Sequence, residues 1–440
     1  MTSYRDMTCL NLSVTDPQQI RLRQDQLLRK HIDYVLQHSL FYRQMFDRLW
    51  LDATSIRSCD DLLQLPTTTK ADLEGCERHF LSVSEQDIAD ICLTSGTTGQ
   101  PVAFYQSGAD LDRLATNEEI AFRTAGITKH DRVLIAAAID RCFMAGMAYF
   151  LGLKQIGATA IRGGSSSVAV VAQLVQRFRP TALVGVPTFF LALAEKLRFD
   201  GIDPVNCGVQ RLICIGEPVR QQDMSLSVLG QRLEHCWQTR VYGTYASTEM
   251  ATTFCDCSQG IGGHVAPELM LVEVLDEQGK RVADGTPGEV VATPLQVTGM
   301  PLLRFRTGDI ACLYRDPCPC GLNSVRMGPI LGRKNQMLKY RGTTVYPPAI
   351  FAALQELEAV AAYYLEVYDD FTLSDRIKVV VGCRDNGLTA HRIAEHISAR
   401  IRVKPEIEIA ELESVRRKTL QEDKRKPVIF FDYRTSVAYD

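Results

Sequence analysis

Residues Thr94-Ser95-Gly96-Thr97-Thr98-Gly99-Gln100-Pro101 place four hydroxyls and two glycines within eight positions. The glycines let the backbone turn tightly and come close to an anion. The hydroxyls and backbone amides can then wrap a polyphosphate in hydrogen bonds. No Gly-Lys-Ser/Thr ending follows, so a P-loop nucleotidase is not the first reading, and taken alone the octapeptide also fits a plain surface turn. A second constellation comprises Cys255-Asp256-Cys257, His264 and Cys318-Pro319-Cys320-Gly321. Two close pairs of soft or borderline donors suit tetrahedral zinc, and the set chosen is Cys257, His264, Cys318 and Cys320, with Cys255 as the spare. Gly262-Gly263 would let His264 fold back. Four protein ligands leave no open coordination position, so such a zinc would be structural. Ring strain disfavours a disulfide inside Cys-Pro-Cys.

These groups need a scaffold. At 440 residues the chain exceeds one ordinary core, and two or three domains are expected. It is 46% hydrophobic and 23% charged with a net charge of −3, a globular profile that argues against coating nucleic acid. Its most apolar region, Val133 to Ile161, is interrupted by Asp140, Arg141 and Lys154, so it reads as core and no membrane span is expected. The first thirty residues are polar and carry no secretory pattern. With fourteen cysteines, that points to reduced thiols and a cytoplasmic setting.

The first eighty residues read as helical, with Leu27, Leu28, His31, Ile32, Val35 and Leu36 at helical spacing. From Asp131 the chain alternates. Strands are expected at Arg132–Ala138, Ala158–Ile161, Ala182–Val186 and Arg211–Ile215, and helices at Met147–Ile156, Val168–Phe178 and Thr188–Leu197. That alternation implies a mostly parallel sheet covered by helices. Leu269–Leu275 and Glu289–Thr293, joined by Gly/Pro/Asp turns, read as a smaller antiparallel region. After Gly332-Arg333 the chain restarts as a compact α+β unit, and a boundary is placed near Lys334. The expected class is α/β, with a large domain over residues 1–333 and a small one over 334–440.

Ordered motifs give these elements a family likeness. Phe41-Tyr42-Arg43, the run Leu65-Pro66-Thr67-Thr68-Thr69-Lys70, Thr94–Pro101, Gly216-Glu217-Pro218, Tyr245-Ala246-Ser247-Thr248-Glu249, Arg304-Phe305-Arg306-Thr307-Gly308-Asp309 and Leu331-Gly332-Arg333 through Arg341-Gly342 occur in sequence. Together they resemble the adenylate-forming superfamily, in its phenylacetate–CoA ligase-like branch. The resemblance implies that a carboxylic acid attacks the α-phosphorus of ATP, giving an acyl adenylate and pyrophosphate. Such chemistry depends on positioning and charge neutralisation. It implies that Thr94, Ser95, Gly96, Thr97, Thr98 and Gly99 hold the β- and γ-phosphates and that Thr248 touches the α-phosphate. Glu249 would ligate Mg²⁺, a hard cation suited to carboxylate oxygen. Gly216, Glu217, Pro218 and Tyr245 would meet the adenine side, Asp309 both ribose hydroxyls, and Arg333 the ribose from the hinge.

A small, mobile C-terminal domain would supply the adenylation lysine, assigned to Lys424 with Lys426 as the alternative. After that domain swings, Gly342 would leave room for the pantetheine arm of coenzyme A. Asn335-Gln336 and Asp423 depart from the usual Asp-Asp and Gly. A holo-carrier protein's phosphopantetheine is the alternative acceptor, and a nucleotide-binding homologue without chemistry is a reading of another class. The acyl pocket would draw on Ile139–Tyr149, Val184–Phe190 and Gly243–Ala246 and take a small, aromatic acid. Phenylacetate-activating relatives carry a Tyr/Gly-rich segment where this chain reads Ala138-Ile139-Asp140-Arg141-Cys142-Phe143-Met144-Ala145-Gly146, which weighs against phenylacetate itself. The expected assembly is a monomer or homodimer. Some relatives in the branch carry a zinc site near the cleft.

Overall fold

The structure is a computed structural model that describes residues 14–94, 101–164, 166–340, 343–371, 374–385, 387–420 and 427–434. These divide into two compact units. One comprises residues up to Thr307 together with Ala311–Ile330, and the other Gly308–Ile310 with Leu331 onward.

The first unit opens on the helix Pro17–His38, started by Pro17 and by the Asp16 side chain accepting from the Gln18 amide. Ser39 ends it and caps the next helix, Leu40–Leu49. The stripe foreseen from spacing is buried: Leu27, Leu28, His31, Ile32 and Val35 face inward.

The strands of this unit are β1 (Ile88–Leu93), β2 (Ala103–Ser107), β3 (Arg132–Ala136), β4 (Thr159–Arg162), β5 (Ala182–Gly185), β6 (Arg211–Cys214), β7 (Arg240–Ser247), β8 (Thr252–Asp256), β9 (Gly263–His264), β10 (Met270–Leu275), β11 (Gly288–Pro294), β12 (Phe305–Ala311), β13 (Leu313–Tyr314) and β14 (Arg326–Met327). Nine of them form one sheet in the order β13-β14-β9-β8-β7-β6-β5-β3-β4. From β4 through β3, β5 and β6 to β7 every pairing is parallel. Beyond β7 the sheet becomes antiparallel through β8, β9, β14 and β13. Apolar runs had marked β3, β4, β5 and β6 of the parallel half but not β7, and β5 is buried at all four positions. Helices Met144–Ile156, Val168–Phe178, Pro187–Phe199 and Val228–Trp237 connect its strands. The antiparallel extension came without a strong signal, because β9, β13 and β14 are two residues each. Also unmarked were the β1–β2 hairpin and the helix Gly108–Thr124, which Ser107 starts with a reciprocal cap.

The second unit has its own core around Leu354, Leu365, Val379, Ile393 and Ile397. Two longer strands, Val360–Phe371 and Ser374–Cys383, sit between two short parallel ones and are backed by the helix Ala390–Ile401. Gly308–Ile310 belongs here because Asp309 and Ile310 pair with Arg333 and Gly332 of β15 (Gly332–Arg333).

Candidate active site and metal centre

Thr94 stands where β1 ends. Its amide donates to the Val102 carbonyl and its hydroxyl accepts from the Val102 amide, both at 3.0 Å. The antiparallel register Leu93↔Ala103 brings the two positions together. The stem on which the hydroxyl-rich segment is mounted is therefore fixed by backbone pairing plus one of the motif's own hydroxyls. Ser95, Gly96, Thr97, Thr98 and Gly99 lie outside the described residues, as do Gly342, Lys424 and Lys426.

Parallel sheets concentrate function at the carboxyl ends of their strands. Ala136, Gly185, Cys214 and Gly243 stand side by side across β3, β5, β6 and β7. Ile139 and Gly216-Glu217-Pro218 continue from β3 and β6 at this edge, and β7 runs on four residues past Gly243 before reaching Thr248-Glu249. Gly216 has φ +74°, a left-handed turn that favours glycine. Glu217 accepts from the Thr188 amide at 3.1 Å and from its hydroxyl at 3.0 Å, closing the start of the helix Pro187–Phe199. Arg220 locks the same loop to the sheet, its Nε donating to Asp256 at 2.6 Å while Asp256 accepts from the Gly243 amide at 2.9 Å. A cleft of about 270 Å³ opens at this edge, lined by Ile135, Ala137, Ile139, Arg162, Gly163 and Gly164. Asp140 and Arg141 pair at 3.6 Å out in solvent, Phe190 is wholly buried in the core and Phe189 packs beside it.

Tyr245 lies on β7 with its ring 5.9 Å from that of Phe254. Thr248 and Glu249 occupy the turn between β7 and β8, both half-buried. That turn is held from below by groups the sequence reading passed over. Arg113, fully buried on the helix Gly108–Thr124, donates to the Ala251 carbonyl at 2.7 Å, the Thr252 hydroxyl at 3.2 Å, and the Leu269 and Leu295 carbonyls at 2.6 and 2.7 Å. One turn on, Asn117 accepts from the Thr253 amide and Glu118 from the Thr253 hydroxyl, each at 2.6 Å. The available signal was polar residues at i, i+4 and i+5 on a face otherwise made of Leu114, Ala121 and Phe122. Arg304, at the start of its motif, pairs with Glu273 at 3.0 Å in the interior, and the Thr68 amide and carbonyl bracket that motif through Arg304 and Arg306. In the second unit Asp309 is buried and meets Arg333 Nε at 3.3 Å.

The metal-type residues converge. The donor atoms of Cys257, His264, Cys318 and Cys320 all lie within 4.8 Å of one another, the first three side chains buried. Cys257 Sγ is 3.7 Å from Cys318 Sγ, and Cys320 Sγ is 3.4 Å from His264 Nε2. Bonds of about 2.3 Å to sulfur and about 2.0 Å to nitrogen in a tetrahedron give edges of about 3.8 and about 3.5 Å, so the donor set fits zinc. His264 Nδ1 meets the Ser324 hydroxyl at 3.0 Å, which orients the ring. Cys255 is absent from this set. It is the register partner of His264 yet packs in the apolar cluster with Ile213 and Tyr242. Burial, and then the Arg326 charge, pulls His264 down to about 4, so its ring is neutral at ordinary pH.

Comparison with known proteins settles what this frame is. The AMP-binding enzyme family matches residues 46–299, and the AMP-binding enzyme C-terminal domain matches residues 342–434. The chain belongs to the AMP-binding enzyme family. Among AMP-binding enzymes, phenylacetate-coenzyme A ligase of Thermus thermophilus is 30% identical over 376 residues, 83% of this chain and 82% of the relative. The Escherichia coli phenylacetate-coenzyme A ligase is 26% identical over 420 residues, 91% of this chain and 92% of the relative. In fold, the crystal structure of 2-hydroxyisobutyryl-CoA ligase in its postadenylation state aligns with a TM-score of 0.85 at 22% identity, covering 96% of this chain and 91% of that one. This AMP-binding enzyme is an AMP-forming acid–thiol ligase: it activates a carboxylic acid with ATP as an acyl adenylate and passes the acyl group to coenzyme A. No helix among the described residues is long and apolar enough to cross a membrane.

Proposed function

We propose that this ligase activates a small aromatic carboxylic acid whose shape differs from phenylacetate, working as a cytoplasmic monomer or homodimer. The observation that carries the reading is that Ile139 and Gly216–Pro218 continue from the carboxyl ends of parallel strands, beside an apolar cleft that contains one arginine. Thr94 and the five residues after it hold the terminal phosphates, while Thr248 and Glu249 face the α-phosphate side. Gly216–Pro218 and Tyr245 border adenine, Asp309 takes the ribose hydroxyls and Arg333 supports it. Lys424 neutralises the α-phosphate and acid during adenylation, and Gly342 passes the pantetheine arm. Mg²⁺ on Glu249 would offset polyphosphate charge. Zinc on Cys257, His264, Cys318 and Cys320 would be a structural clasp. Residues 1–333 form the adenylation domain and 334–440 the small α+β domain.

Pyrophosphate exchange over a panel of benzoate-, phenylacetate- and amino-acid-type substrates tests the acid. An aryl acid other than phenylacetate should stimulate exchange most, and a preference for phenylacetate or for aliphatic acids overturns the reading. Thioester formation measured with coenzyme A and with a holo-carrier protein separates the acceptors. Coenzyme A is expected to be used at least tenfold more efficiently.

A further inference from the structure

The turn between β7 and β8 is conformationally expensive. Ala251 sits at φ +45°, left-handed for a residue with a Cβ, where the hairpin closes on the register Ser247↔Thr252; its amide donates to the Thr248 carbonyl and the Met250 amide to the Ser247 hydroxyl, both at 3.2 Å. A second constraint comes from outside the hairpin. The Arg113 guanidinium takes the Ala251 carbonyl and the Thr252 hydroxyl in one fork, while its other N–H groups are anchored on Leu269 and Leu295. The Thr252 hydroxyl in turn donates to the Met250 carbonyl at 3.0 Å, so the constraint reaches the residue next to Glu249. Met250 is fully buried and works as a pin, leaving Glu249 beside it half-buried.

We infer that Arg113 is a positioning residue for metal-assisted adenylation: its fork imposes the strained turn that presents the Glu249 carboxylate to a divalent cation. The inference rests on the reading of Glu249 as the magnesium ligand. A planar fork can hold two acceptors at fixed angles, and an ammonium cannot. Arg113→Lys therefore keeps the buried charge but loosens the turn. Glycine adopts φ +45° without strain, so Ala251→Gly should relieve the need for the fork.

The test is the Mg²⁺ dependence of ATP binding, read by calorimetry without acid, and of pyrophosphate exchange at saturating acid, with the KM for the acid as internal control. Arg113→Lys should raise the half-saturating Mg²⁺ concentration about tenfold and change the acid KM less than twofold. Adding Ala251→Gly to it should recover most of the loss. Should Arg113→Lys fail to fold, Thr252→Val removes one acceptor of the fork from the other side and should raise the Mg²⁺ requirement about threefold. Equal effects on Mg²⁺ and acid, or no rescue by Ala251→Gly, would show general loosening and overturn the inference. Glu249→Gln distinguishes the two failures. If it raises the Mg²⁺ requirement while Arg113→Lys and Thr252→Val do not, only the inference falls. If Glu249→Gln leaves that requirement unchanged, the ligand reading falls and takes the inference with it.

Discussion

Glu118 is a carboxyl group buried beneath the sheet, accepting one hydroxyl from Thr253. Burial pushes it up to about 7, against the smaller opposing effect of that hydrogen bond. The folded state thus binds its proton more tightly than the unfolded chain does. Stability contributed by the protonated form is complete below the ordinary carboxyl range and declines as pH rises from about 4.5 to about 7, by up to about 3 kcal/mol. Glu118→Gln keeps the hydrogen-bonding oxygen and removes the titration. Urea unfolding at pH 5 and pH 8 should show the wild type losing stability between the two and the variant losing much less; equal slopes would refute the assignment. This group, with Arg113 and Asn117, could not be read from spacing, because the partners of the three lie 135 to 182 positions later. The metal-type residues were legible for the opposite reason: donor chemistry is rare enough in sequence to announce itself, and short spacing within each pair limits where the donors can go. Even so, only the fold distinguishes Cys257 from Cys255, since the latter's thiol is absorbed by the core.

At the scale of elements, the hairpin carrying His264 depends on a glycine. Gly262 has φ +107°, and a Cβ there would sit 2.8 Å from the Met327 carbonyl oxygen on β14. Gly262→Ala should therefore cost about 1–3 kcal/mol and displace β9, lowering metal retention as measured by elemental analysis after dialysis. Cys318→Ser should reduce zinc from about one per chain to near none and lower the thermal midpoint. A metal-free wild type of undiminished stability would exclude the clasp. Elements with long periodic signals were legible, notably Val168–Phe178, whose bounds match the spacing. Two-residue strands were not, since they owe their existence to neighbours already in place.

For the whole molecule, the two units have separate cores, and the second is built only from Leu331 onward plus Gly308–Ile310. Leu365 is fully buried in it. Leu365→Ala should cost about 2–5 kcal/mol, and hydrogen exchange should quicken within residues 338–434 while the sheet of β3, β5 and β6 keeps its protection. Deprotection spread evenly over both would show a single cooperative unit. The α/β class was visible in the alternation of apolar runs. The switch from parallel to antiparallel pairing at β7 was not, because direction is decided by which strand a turn can reach.

The donor set brings together positions 61 residues apart, Cys257 and Cys318, and 56 apart, His264 and Cys320. During translation half of its donors leave the ribosome well ahead of the rest, and the intervening chain must already be folding when the second thiol pair arrives. Any metal this set takes up would thus be loaded late in biogenesis, after the chain between the two pairs has folded.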